Sequence, residues 1–186
     1  TKMDTASHPN KMKITFTGYT KGETLTNFPA LVTFNENLTN FAYGHFASWQ
    51  GKDLRFSDDN ETQYLKYEIE EWNTNGDSRV WVRIPALSSG TYIWAFWGKA
   101  DATNNDIYTT NGATWTSEFR AVYHMTETNA PDSTVNTNHF TAVGNTNAPG
   151  LIAGAQGVNG STYLKRAESG AVFDSLTSFT LEGLVK

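Results

Sequence analysis

The residues whose types and spacing could do chemistry concentrate between positions 66 and 83. Glu68 and Glu70 stand two apart in a stretch of strand character, so they share one face about 7 Å apart. That is near the separation of glycosidase carboxylates. Neighbours on one strand do not straddle a scissile bond, however, and Arg79 and Arg83 close by keep both groups ionised. A binding face suits the same residues. Trp72 and Trp81 supply indoles that stack on the apolar face of a pyranose ring, and Glu68, Glu70, Arg79 and Arg83 supply groups that bond hydroxyls or sulfates. The pattern also suits a second sheet packed on this face, with the indoles in its interior and the charges as cross-strand pairs.

Other candidates are more dispersed. Tyr43, His45, Phe46 and Trp49 lie in an irregular stretch, and binding residues favour loops carried by a rigid scaffold. So aromatic a loop must also pack on something. Asp58, Asp59, Asn60 and Glu61 offer oxygen ligands without the spacing of a calcium loop, and read as a solvated turn. His8, His45, His124 and His139 show no metal spacing. No nucleophile elbow, phosphate loop or dinucleotide fingerprint occurs.

The elements that must position these residues are strands. Tyr67, Ile69 and Glu71 alternate with Glu68, Glu70 and Trp72; Val80, Val82 and Ile84 alternate with Arg79, Trp81 and Arg83. Between them, Asn75-Gly76 supplies the positive φ angles of a hairpin turn. The apolar faces point to a core and the charged face points away. Strands are also expected at 11–16, with Met12, Ile14 and Phe16 on one face, at 28–34, with Pro29 near its start, and at 53–57. Residues 92–99 are almost all apolar and read as a strand buried on both faces. Residues 35–51 read as a packed loop or short helix. Further strands are expected at 119–125, 139–143, 161–165 and 179–186.

Composition agrees. Of 186 residues, 18% are charged and 13% aromatic, with Asn, Thr, Gly and Ser between the apolar runs, as in a turn-rich β-protein. A net charge of −5 argues against a nucleic-acid partner. No run of ~18 apolar residues exists to insert in a membrane. With no cysteine there is no disulfide from which to read a compartment.

The pieces F-x-D at 56–58, Y-E-I-E-x-W at 67–72, V-W-V-x-I-P-x-L at 80–87 and W-G-x-x-x-A-T at 97–103 resemble, in their order, an uncharacterised bacterial extracellular β-domain family. The pieces A-V-Y-H-M-x-E at 121–127, Asp132-Ser133, A-Q-G-V-N-G at 155–160 and F-T-L-E-G-L-V-K at 179–186 resemble the opening of a concanavalin A-like/laminin G-like sandwich, with Leu184 where that family has Trp. The resemblance implies an exported, surface or secreted bacterial protein. It also implies structural or ligand-bridging Ca2+, for which Asp132, Ser133, Asn136 and Asn138 are the matching ligands. The expected fold is all-β: a linker (1–10), an antiparallel, jelly-roll-like β-sandwich (11–105), a connector (106–118) and part of a second, concanavalin A-like sandwich (119–186). The expected function is a noncatalytic polysaccharide-binding module, with ligand contacts at Glu68, Glu70, Trp72, Arg79, Trp81, Arg83, Tyr43 and Trp49. The alternatives are a structural or adhesive module that self-associates, and a fragment of a polysaccharide-degrading enzyme.

Overall fold

A computed structural model describes residues 4–102, 106–166 and 176–185. Thr103 to Asn105, which close the W-G-x-x-x-A-T motif and the first expected domain, and Lys186 lie outside the described residues. The described residues form ten strands in antiparallel sheets, and no α-helix. They fall into two compact units, 1–116 and 117–186.

The first unit is a β-sandwich. Its strands are β1 (Asn10–Thr15), β2 (Leu25–Phe34), β3 (Arg55–Ser57), β4 (Tyr67–Glu71), β5 (Ser78–Leu87) and β6 (Tyr92–Trp97). One sheet has the order β1-β6-β3, the other β2-β5-β4. The period-2 pattern of the sequence explains the core between them. In β5, Val80, Val82 and Ile84 are buried while Arg79, Trp81 and Arg83 are half-buried on the opposite side. Ala30, Val32 and Phe34 of β2, Phe56 of β3 and Ile93, Ala95 and Trp97 of β6 meet them. Each buried Val, Ile or Phe among them stabilises the fold by about 1.5–3 kcal/mol. Pro29 sits mid-strand opposite Arg83, which a strand at the sheet edge tolerates because its missing N–H faces outward.

One expectation for this unit needs correction. Strand β6 is not buried on both faces: only Phe96 on its outer side is covered, and Tyr92 and Trp94 are half-buried. Their apolar character is served by lysine, with Lys11 Nζ 3.8 Å from the Trp94 ring centroid and Lys13 Nζ 3.7 Å from that of Tyr92. The stretch 35–51 holds one 3-10 turn, Tyr43–His45, inside a packed loop.

After β3 the chain turns around Asp58, whose carboxylate accepts from Thr62 N at 2.7 Å, Thr62 Oγ1 at 2.5 Å and Gln63 N at 3.2 Å. Partial burial works to raise its pKa, but the hydrogen bonds from Thr62 and Gln63 outweigh it and hold the carboxyl below its ordinary value.

The second unit contains β7 (Phe140–Val143), β8 (Thr146–Pro149), β9 (Gly154–Gly157) and β10 (Tyr163–Arg166), paired as β10-β7 and β8-β9. The strand expected at 119–125 is reduced to a single bridge, Tyr123 to Asp132. The strand expected at 179–186 does not form among the described residues. The described residues of this unit bury mainly polar side chains. Ala130 is the one fully covered hydrophobic residue described, whereas Asp132, Thr134 and Asn145 are buried. Asn145 Nδ2 reaches Thr128 O at 2.8 Å and Gln156 Oε1 at 2.7 Å.

Phe34→Ala, at a site with no solvent exposure, is expected to cost about 3–5 kcal/mol in denaturant unfolding. Asp58 gives a pH-dependent outcome. With its folded pKa depressed, its contribution is present above the unfolded pKa near 3.8 and is lost as pH falls through the folded value. Wild type should therefore melt above Asp58→Ala at neutral pH, and the gap should close on acidification.

Candidate functional site

The residues expected to contact ligand separate into buried supports and displayed groups, and an irregularity in β4 does the sorting. The β4–β5 register runs Glu68 to Trp81 and Ile69 to Val80, then shifts so that Glu71 meets Arg79. Glu70 is the extra residue of a β-bulge. Past it the parity of the strand inverts. Glu71 joins the charged outer face, and Trp72 turns inward to the core cluster. Trp72 is therefore not part of the outer face. Its ring packs at 5.5 Å on Tyr43 and at 4.9 Å on Phe46, both edge-to-face.

Tyr43 is likewise placed in the core, at 8% exposure. Its hydroxyl lies 3.0 Å from Phe34 O, 3.1 Å from Gly76 O and 2.8 Å from Ser78 Oγ. Burial holds this phenol above its ordinary pKa, so it stays a protonated donor.

What these two residues support is the loop that carries Trp49. Asp53 has no solvent exposure, and its carboxylate accepts from Ala47 N at 2.9 Å, Ser48 N at 3.0 Å and Gly98 N at 2.7 Å. Trp72 Nε1 donates to Trp49 O at 3.1 Å. Phe46 stacks on Trp97, with centroids 5.5 Å apart at 13°. Gly51 has φ +70°, and a Cβ there would lie 2.7 Å from the Trp72 ring, so the chain can pass only as glycine. On this fixed base the indole of Trp49 stands 79% exposed. An indole so far from cover is unusual for the most surface-costly of side chains.

The outer face of the β2-β5-β4 sheet does bring Glu68, Glu70, Arg79, Trp81 and Arg83 together, in a different arrangement from the one expected. Trp115 folds over it, its ring 5.7 Å from that of Trp81, and is 7% exposed. The two carboxylates are engaged by indoles: Trp115 Nε1 donates to Glu68 Oε2 at 2.7 Å, and Trp81 Nε1 to Glu70 Oε2 at 2.8 Å. Arg79 pairs with Glu71 at 2.7 Å and Asp77 at 3.3 Å. Trp115 was missed because it sits in a stretch rich in Asn and Thr. A tryptophan there was itself the signal, since a solvated connector has no use for an indole.

In the second unit, both oxygens of Asp132 face donors. Oδ1 accepts from Val122 N at 3.0 Å and Thr134 N at 2.9 Å; Oδ2 accepts from Thr134 Oγ1 at 2.9 Å and Asn138 N at 2.8 Å. Asn138 Oδ1 takes the Arg166 guanidinium at 2.8 Å, and Asn136 Nδ2 donates to Phe119 O and Arg120 O, each at 3.1 Å. Ser133 N donates to Val122 O at 2.9 Å. In this arrangement the four residues act as a loop clasp, and no group of three or more acidic, histidine or cysteine side chains suited to a metal occurs among the described residues.

Residues 50–137 match the family model of a domain of unknown function, DUF2341. The matched span takes in the bulged hairpin, Trp115 and the Asp132 clasp, and begins one residue after Trp49. No curated protein matches the chain, and no solved structure does.

Trp72→Phe retains the ring but deletes the hydrogen bond to Trp49 O. The expected cost is about 1 kcal/mol in unfolding, with a larger rise in proteolytic nicking or amide exchange at 47–52 than elsewhere.

Proposed function

We propose that the chain is a noncatalytic carbohydrate-binding module in which Trp49 is the principal contact. The observation that carries this reading is a nearly free indole on a loop immobilised from beneath by Asp53, Phe46, Gly51 and Trp72. Preorganisation of this kind lowers the ordering cost of binding. An exposed indole suits the apolar face of a pyranose, where the ring C–H groups meet the π-surface and the hydroxyls remain in water. Trp81, half-buried beside Trp115, is a secondary contact, with Arg83 at its margin. The engagement of Glu68 and Glu70 by indole N–H groups supports binding over hydrolysis, because a general acid or nucleophile needs its oxygens free for substrate.

On the resemblance of 119–186 to the opening of a concanavalin A-like/laminin G-like sandwich, we extend the proposal to a module of a larger exported bacterial surface protein. Any Ca2+ bound at Asp132, Ser133, Asn136 and Asn138 has to displace the donors that now occupy Asp132 and Asn138.

A glycan array with this chain, with and without Ca2+, tests the reading. Selective retention of one polysaccharide class is expected. Titration with the best oligosaccharide should then show Trp49→Ala weakening binding about ten-fold or more, the scale of one aromatic contact of ~1.5 kcal/mol, with a smaller effect for Trp81→Ala. A blank array with working controls, or full affinity in Trp49→Ala, sinks the assignment.

A further inference from the structure

The segment before β1, expected as a linker, is folded onto the first unit over residues 4–9. Ser7 N donates to Asp4 Oδ1 at 3.3 Å, His8 N donates to Thr5 O at 3.3 Å, and Lys99 Nζ donates to Asp4 Oδ2 at 3.3 Å. Pro9 sits against Gly98, where a Cβ would lie 2.8 Å from the Pro9 Cγ. His8 is the covered residue of the segment. It is 8% exposed, and its ring meets that of Phe96 edge-on at 6.0 Å.

The tautomer of His8 follows from its partners. Nδ1 lies 3.0 Å from Asp4 O. A carbonyl oxygen only accepts, so Nδ1 carries the proton. Nε2 is then a bare lone pair, buried with no hydrogen-bond partner. Only a neutral imidazole suits that place, because a proton at Nε2 makes a buried donor without an acceptor. The charged groups around the ring do not relieve it. Arg55 and Lys99 line one cavity with His8, together with Tyr64, Asp101 and Asp106. The carboxylates there are engaged by the two cations: Lys99 reaches Asp4 at 3.3 Å and Asp101 at 3.8 Å, and Arg55 Nε reaches Asp106 at 3.0 Å. Burial holds the imidazole below its ordinary pKa of 6.5, and Arg55 and Lys99 add to burial against the hydrogen bond to Asp4 O.

We propose that residues 4–9 form an acid-released latch, held shut over Phe96 by neutral His8 and opened when His8 takes up a proton. The closed form excludes a proton that the open form accepts. Closure is therefore fully present above the ordinary histidine pKa and is lost as pH falls through the depressed one. The β1–β6 ladder begins at Asn10, so the segment can leave without breaking it. Opening uncovers Phe96, which is 1% exposed when the latch is shut. The proposal stands apart from carbohydrate binding, which rests on Trp49.

Two measurements on residues 1–186 test it. Imidazole NMR of the wild type should show the Nδ1–H tautomer of His8 at neutral pH and a His8 pKa below the ordinary histidine value. The Nε2–H tautomer, or a pKa at or above that value, overturns the proposal. Hydrogen exchange at the Ser7 and His8 amides, corrected for intrinsic rates, reads the latch itself. Opening should rise about ten-fold for each pH unit between the ordinary and the folded pKa, as one linked proton requires. In His8→Phe, which keeps a ring beside Phe96 but cannot titrate, exchange at Ser7 should not change over that window. A wild type indifferent to pH overturns the proposal, as does an equal pH dependence in His8→Phe.

Discussion

A carboxylate taken wholly out of water needs donors in its place, and Asp53 finds three backbone N–H groups from two separate parts of the first unit. The irregular stretch after β2 has no ladder of its own to satisfy its main chain. Asp53 supplies the acceptor that a sheet would otherwise provide, and it ties that stretch to Gly98 just beyond β6. Packing of Phe46 on Trp97, the tight passage at Gly51 and the hydrogen bond from Trp72 to Trp49 all presuppose this anchor. Aromatic side chains that would be mobile on a free loop thereby become either interior or presented surface.

The second unit uses the same device with less apolar support. Asp132 gathers Val122, Thr134 and Asn138 about its two oxygens much as Asp53 gathers its partners. Behind Asp53, however, stands a sandwich core, whereas the described part of the second unit buries mainly polar side chains. Directional bonds hold its loops, while the non-directional term that dominates folding contributes little there.

Much of the architecture was legible because it rests on local rules. Alternation placed Val80, Val82 and Ile84 inside, and the hairpin forms where turn residues were expected. Asn75-Gly76 does not supply the expected positive φ angles, however: the turn is closed by Gly76 N donating to Asn73 O at 3.2 Å, with neither residue at positive φ. The site was less legible because a bulge is not written in alternation. Y-E-I-E-E-W scans without a break, yet Glu70 is extra to the ladder, so Trp72 faces the opposite way from the count. The choice follows from tertiary demand: Tyr43 and Phe46 leave an aromatic slot that Trp72 fills. Trp49 stood among the expected contacts, but its separation from Tyr43 and Phe46 in role could not be read from four aromatics in one loop. Strand 179–185 failed for a different reason. Its pattern is that of a strand, but a strand requires a neighbour, and periodicity does not supply one.

The fit of Gly51 against Trp72 has a consequence for how such a module can diversify. A side chain at position 51 would drive the indole from its slot, and loss of the indole would leave a hollow under the loop. The two positions, in different elements, are therefore free to vary only in step. Trp49, resting on both through its backbone alone, can be replaced without disturbing either. The scaffold is thus insulated from the residue it displays, and a change in what the module recognises does not require a change in how it folds.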